Sequence, residues 1–209
     1  MTQLTGWHHE DMTAQPDDYA WFPAATGELA NAYCITLIRA VAPDAVLTRL
    51  RGKDFRTVHG SDELVQMVGD RDAGDHALVG VTEVRGWSLM VEPNGFIGVS
   101  SRYSKPLSAN TLLVAHYLDV NLRDEFVVAE DGVITASLEP SAPDVRRGPK
   151  ADEIAETMAA VGYDLTGASE PGDRFELLAF ALAEELTGVR LRERDVVAAD
   201  YLCGYVKKP

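Results

Sequence analysis

The sequence predicts an α+β fold: an antiparallel β-meander of about six strands, with N-terminal and C-terminal helices packed on it. Three observations carry this expectation. Hydrophobic residues make up 46% and charged residues 25% of the 209, a globular balance in a chain long enough for one well-filled core. From His76 to Leu138 the chain is rich in β-branched residues, alternates with period two and is broken by short turns, the pattern of consecutive antiparallel strands. On either side of that stretch the apolar residues fall at helical spacing, the mark of amphipathic helices.

The elements follow in order. Residues 1–25 form an acidic N-terminal arm, because the first Lys or Arg of the chain is Arg39. Trp7, Trp21 and Phe22 tack this arm onto the body. Residues 26–209 form a single α+β domain: helices over 26–75, sheet over 76–139, a linker over 140–150 and C-terminal helices over 151–209. Leu29, Tyr33, Leu37 and Val41 repeat every four residues, which predicts a helix from Glu28 to Val41 with Thr26 as its N-cap and Cys34 in its middle. Pro43 ends it and opens a short helix to Leu50. Phe55 to Val58 reads as a short strand, and Ser61 caps a third helix.

Six strands are then expected: His76–Val84, Trp87–Val91, Phe96–Val99, Thr111–Leu118, Phe126–Ala129 and Val133–Leu138. Asn94-Gly95 and Asp131-Gly132 supply hairpin turns, since these residues accept positive φ. Prolines 140, 143 and 149 mark the linker. Helices from Asp152 and Asp173 end at Gly162 and Gly188, natural C-terminal glycines. Leu177 and Phe180 lie opposite the main apolar stripe of the second, so it packs between layers or holds a homodimer interface. Tyr201–Val206 reads as an edge strand.

Composition narrows function. The net charge is -14, from 33 acidic and 19 basic side chains. Such a surface repels phosphate backbones and anionic membranes, and it steers a basic protein towards itself. No nucleic-acid or membrane partner is therefore expected. Two cysteines make no disulfide framework; both read as reduced, buried hydrophobes. No basic leader with an apolar run occurs, which makes cytoplasm the expected compartment.

Catalytic and cofactor signatures do not emerge. No P-loop, dinucleotide fingerprint or zinc-ligand spacing is present, and no cofactor is expected. His8, His9, Glu10 and Asp11 form a ligand-like cluster but read as a solvated tail. Asp70, Asp72 and Asp75 depart from the EF-hand spacing and read as an acidic loop. Arg146-Arg147 reads as linker charge facing water. His116 stands in register with apolar strand residues and reads as a hydrogen-bonded core residue. It becomes a general base only if a carboxylate such as Asp119 reaches it. Trp87, Glu92 and Asn94 belong to the most distinctive stretch of the chain, which turn chemistry alone explains.

Several segments carry a resemblance. They are Tyr19-Ala20-Trp21, the run Ala32 to Leu37, Gly80-Val81-Thr82, the run Gly86 to Val99, Pro106-Leu107-Ser108, Phe180 to Glu184, Leu186 to Val189, and Cys203-Gly204. Together they resemble an actinobacterial family catalogued only as a domain of unknown function. The resemblance spans nearly the whole chain and implies one domain, with no activity or assigned residues.

The leading expectation is a non-catalytic acidic binding protein, of the immunity or antitoxin-like inhibitor type, that meets a basic partner. A second is an enzyme or small-ligand protein with a site across the sheet around His116, drawing on Asp119, Glu92 and Arg102. A third is a homo-oligomeric subunit joined through Leu177 and Phe180. The ligand or partner candidates are thus Trp87, Glu92, Asn94, Arg102, His116, Asp119 and Phe180.

Overall fold

A computed structural model describes residues 13–69, 74–166 and 172–209. Its centre is one antiparallel sheet of nine strands. These are β1 (Tyr33–Arg39), β2 (Lys53–His59), β3 (His76–Val84), β4 (Trp87–Pro93), β5 (Leu112–Leu118), β6 (Asp124–Glu130), β7 (Val133–Glu139), β8 (Ala142–Arg147) and β9 (Asp200–Lys207). They lie in the order β2-β9-β3-β4-β1-β5-β6-β7-β8. Among the described residues seven α-helices accompany them: α1 (Trp21–Ala25), α2 (Pro43–Arg49), α3 (Gly60–Gly69), α4 (Ser101–Leu107), α5 (Ala151–Val161), α6 (Phe175–Thr187) and α7 (Glu193–Val197). A 3-10 turn at Gly27–Asn31 precedes β1, and another at Pro16–Tyr19 packs on α6.

The fold is α+β with one antiparallel sheet, as expected, but the sheet is larger than a six-stranded meander. The main correction is β1. The segment expected to be a helix from Glu28 to Val41 is instead the central strand, paired with β4 on one side and β5 on the other. A four-residue repeat is also an even number, so it keeps one face of a strand as well as one face of a helix. Tyr33, Ile35 and Leu37 point to one core cluster, while Cys34 and Ile38 point to the other. Both faces are buried, so the strand reads as a continuous apolar run.

Three further corrections follow. Phe96–Val99 is not a strand; Asn94 takes the expected positive φ of 52°, but the chain then coils over β4 instead of returning along it. The linker of 140–150 contains β8, the last strand of the sheet, and a strand holding Pro143 belongs at an edge. Finally, β9 is not an edge strand. It lies between β2 and β3.

The two faces of the sheet carry different covers. One core cluster joins the sheet to α1, α3, α5, α6 and α7, through residues such as Phe22, Leu64, Met158, Phe180 and Val196. The second joins the opposite face to α2 and α4 through Val46, Leu47, Leu50, Tyr103 and Leu107. Helices α5 and α6 end at Gly162 (φ 107°) and Gly188 (φ 71°), the left-handed C-terminal geometry expected for glycine. Cys34 and Cys203 are free and buried in different clusters. Among the described residues no helix is long and apolar enough to cross a membrane.

Candidate functional site

His116 sits on β5 opposite Ile35 of β1 and Phe126 of β6, beneath α6. It is 2% exposed. Its Nδ1 lies 3.3 Å from the Tyr33 hydroxyl, and its Nε2 has no hydrogen-bond partner among the described residues. Burial drives its pKa down to about 3, so the ring is neutral at physiological pH. The ring packs edge-on against Tyr33 and Phe180. The void beside it is about 10 Å3 and is lined by Tyr19, Ile35, Leu37 and Phe180. That is room for a water-sized group and no substrate.

Asp119 does not join His116. It lies at the end of β5 and organises the turn into β6. Its Oδ1 accepts from the Asn121 and Arg123 amides, and its Oδ2 from Arg123 Nε at 2.8 Å. Partial burial pushes the carboxyl up, but the Arg123 amide and guanidinium and the Asn121 amide outweigh it and hold the pKa at about 2.

Glu92 faces the other side of the sheet, opposite Cys34 in register. It is fully buried. Oε2 accepts from the Ile97 amide at 2.8 Å and Oε1 from the Gly98 amide at 2.9 Å. The carboxyl thus ties down the 94–99 turn that follows it. Burial raises its pKa to about 7, against the pull of those amides. Burial likewise raises the neighbouring Cys34 thiol well above its ordinary value, so it is a protonated core group.

Trp87 and Phe180 are core residues, 8% and 2% exposed. Phe180 stacks on Tyr19 at 5.3 Å and meets Phe22 at 4.6 Å, so the N-terminal segment covers it. Leu177 is half-buried against the same cluster. Asn94 is exposed, and its amide donates to the Ala32 carbonyl at 2.9 Å. His8, His9, Glu10, Asp11, Asp70 and Asp72 lie outside the described residues.

Arg102 is placed differently. It stands on α4 in a cleft of about 480 Å3 together with Arg49, Arg51, Lys53, His76 and Lys207. The fold gathers these basic residues, and the sequence pattern points to none of them but Arg102. The signal was the spacing Arg49-x-Arg51-x-Lys53, three cations within five residues of an acidic chain.

The opposite, helical face is acidic. Arg174 is consumed by Asp17, Arg190 by Asp18 and Glu184, and Arg85 by Asp195. Asp152, Glu153 and Glu156 on α5 are exposed, and among the described residues none has a cation within 4.0 Å. The helix dipole accounts for the first two, which lie in the first turn. It does not account for Glu156, which follows them at i+4 and i+3, a like-charge spacing that destabilises a helix by about 0.2–0.5 kcal/mol per pair.

A family model for a family of unknown function, DUF6461, matches residues 12–209. The chain belongs to DUF6461. Comparison with curated proteins and with solved structures finds no match. The DUF6461 match takes in every element of the sheet and both helical covers.

Proposed function

We propose that this chain is a non-catalytic acidic binding protein, and that its helical face receives a basic protein partner in the manner of an immunity-type or antitoxin-like inhibitor. The observation that carries the reading is the exposed acidic surface of α5, where among the described residues no cation lies within 4.0 Å of Asp152, Glu153 or Glu156. Glu156 costs the helix stability where it stands, and an interface with a basic partner is a reason to retain it. The state of the acid–base candidates supports the same reading. His116 and Glu92 are sealed in opposite cores, and Asp119 is spent on its own turn. A cytoplasmic location is part of the proposal. It is supported by two thiols held reduced and apart, on opposite faces of the sheet.

The test is capture from a native lysate on immobilised protein, eluted by a salt ramp, with two charge-reversal variants alongside. A basic protein released at moderate salt supports the reading if it is lost with Glu153→Lys/Glu156→Lys. It should be retained with Asp44→Lys on α2, which lies across the sheet. Equal capture by all three forms, or no salt-sensitive partner, overturns it.

A further inference from the structure

The cleft between α2 and α4 concentrates positive charge on a chain of net charge -14. Arg49 and Arg51 come from the end of α2, Lys53 opens β2, His76 opens β3, Arg102 lies on α4, and Lys207 closes β9. Among the described residues no acidic side chain lines it. Among the described residues, no carboxylate comes within 4.0 Å of Arg49, Arg51, Lys53, Arg102 or Lys207. Elsewhere the arginines that make ion pairs take Asp or Glu as partners, as Arg123, Arg174 and Arg190 do.

Neutral groups hold these cations in place. Arg49 Nη1 donates to the Leu107 carbonyl at 2.7 Å and the Ala109 carbonyl at 3.3 Å, which ties α2 to the end of α4. The Tyr103 hydroxyl donates to the Lys207 carbonyl at 2.6 Å. The Arg102 guanidinium lies 5.2 Å from the Tyr103 ring centre. Arg51 takes a positive φ of 55° as the left-handed residue that caps α2, its amide donating to the Thr48 carbonyl at 3.0 Å and that of Gly52 to the Leu47 carbonyl at 2.8 Å. Convergent guanidinium and ammonium groups with no carboxylate partner among the described residues are complementary to phosphate oxygens, which arginine forks engage bidentately.

The acidity of the whole chain does not forbid this. The acidic helices lie across the sheet from the cleft.

We propose that the α2–α4 cleft is a binding site for a small phosphorylated ligand. Arg51, Lys53, Arg102 and Lys207 engage the phosphate, and the remainder of the ligand lies on Leu50, Tyr103 and Pro106. The size fits: about 480 Å3 falls within the ~300–1,000 Å3 of small-molecule sites.

The test needs only the purified chain. Inorganic phosphate and pyrophosphate are titrated at constant ionic strength against chloride, followed by amide NMR. The expected result is saturable shifts at Arg51, Lys53, Arg102 and Tyr103. Affinity should fall at least tenfold in Arg51→Ala/Arg102→Ala and stay unchanged in Lys105→Ala, which sits on α4 outside the cleft. All of these side chains are exposed, and thermal melts check that each variant keeps the fold. Shifts that track ionic strength alone, or that survive in the double variant, overturn the proposal. So does binding only to anionic vesicles or to an oligonucleotide, which would assign the cleft to a macromolecular surface. Because no protein partner enters the experiment, its outcome is independent of the acidic-face reading.

Discussion

Replacing Glu92 with glutamine removes a buried charge and a hydrogen-bond acceptor at the same time, and the two effects separate with pH. The wild-type carboxyl is fully buried and titrates at about 7, whereas an unfolded glutamate titrates at about 4.3. Between these values the unfolded chain gives up its proton while the folded chain keeps it. The folded state then binds more protons, so stability falls as pH rises through this window, and the loss is complete above it. At about 1.4 kcal/mol per pH unit the loss amounts to about 4 kcal/mol. Glutamine cannot ionise and escapes this loss. Its amide nitrogen cannot accept, however, so one of the Ile97 and Gly98 amides loses its partner at every pH, costing about 1–3 kcal/mol. Urea unfolding of both proteins at about pH 5 and pH 8 should therefore show Glu92→Gln clearly less stable in acid. The deficit should shrink by about 2–3 kcal/mol, or reverse, in base. Parallel stability profiles for the two proteins would refute an ionising Glu92 in the sealed core.

Three further outcomes are expected. The folded His116 titrates at about 3, below the ordinary ~6.5. Stability therefore drains as pH falls from that upper value, because only the unfolded chain takes the proton. Tyr33→Phe/His116→Leu, which removes both polar partners, should flatten this acid limb in denaturant melts. Leu122 is 65% exposed at a positive φ of 58°, so Leu122→Gly should raise unfolding stability by up to about 1 kcal/mol; a loss would mean that its side chain packs. At Gly98 an added Cβ would sit 2.0 Å from Thr36 Oγ1 and 3.0 Å from Cys34 Sγ. Gly98→Ala should cost about 2–3 kcal/mol, with partial recovery in thermal melts when Thr36→Ala is added.

Much of the fold was legible where chemistry was local. The β-branched pattern of His76–Val84 predicts a strand, and β3 has those bounds. Asp131 and Gly132 both take positive φ, 50° and 80°, and join β6 to β7 as a two-residue hairpin should. What misled was the run from Tyr33 to Ile38. Its neighbours Leu29 and Val41 completed a four-residue repeat, yet Ile35, Thr36 and Ile38 are β-branched and Tyr33 is aromatic, a composition that favours strands. Strand order was beyond reach because β1 inserts between β4 and β5, and β9 between β2 and β3. Both pairings join segments far apart in the chain, and no turn signal records them.

The candidate residues show why net charge was a poor guide to a site. A single value of -14 treats the molecule as one surface, but the sheet divides it into two. Acidic side chains accumulate on α5, α6 and α7, and cations from the end of α2, from β2 and from β9 meet Arg102 of α4. Every residue of that cleft except the Arg49–Lys53 run comes from a distant part of the sequence, so only the fold could assemble it. His116 and Glu92 drew notice as lone polar residues in apolar strands, and that is where a packed core needs hydrogen-bonded groups. Arg102 sat in a short helix with no pattern of its own. It gains meaning because Lys207, more than a hundred residues later, ends β9 beside it. Polar residues that interrupt an apolar pattern thus marked the interior, and the residues free to meet a ligand were those that interrupted nothing.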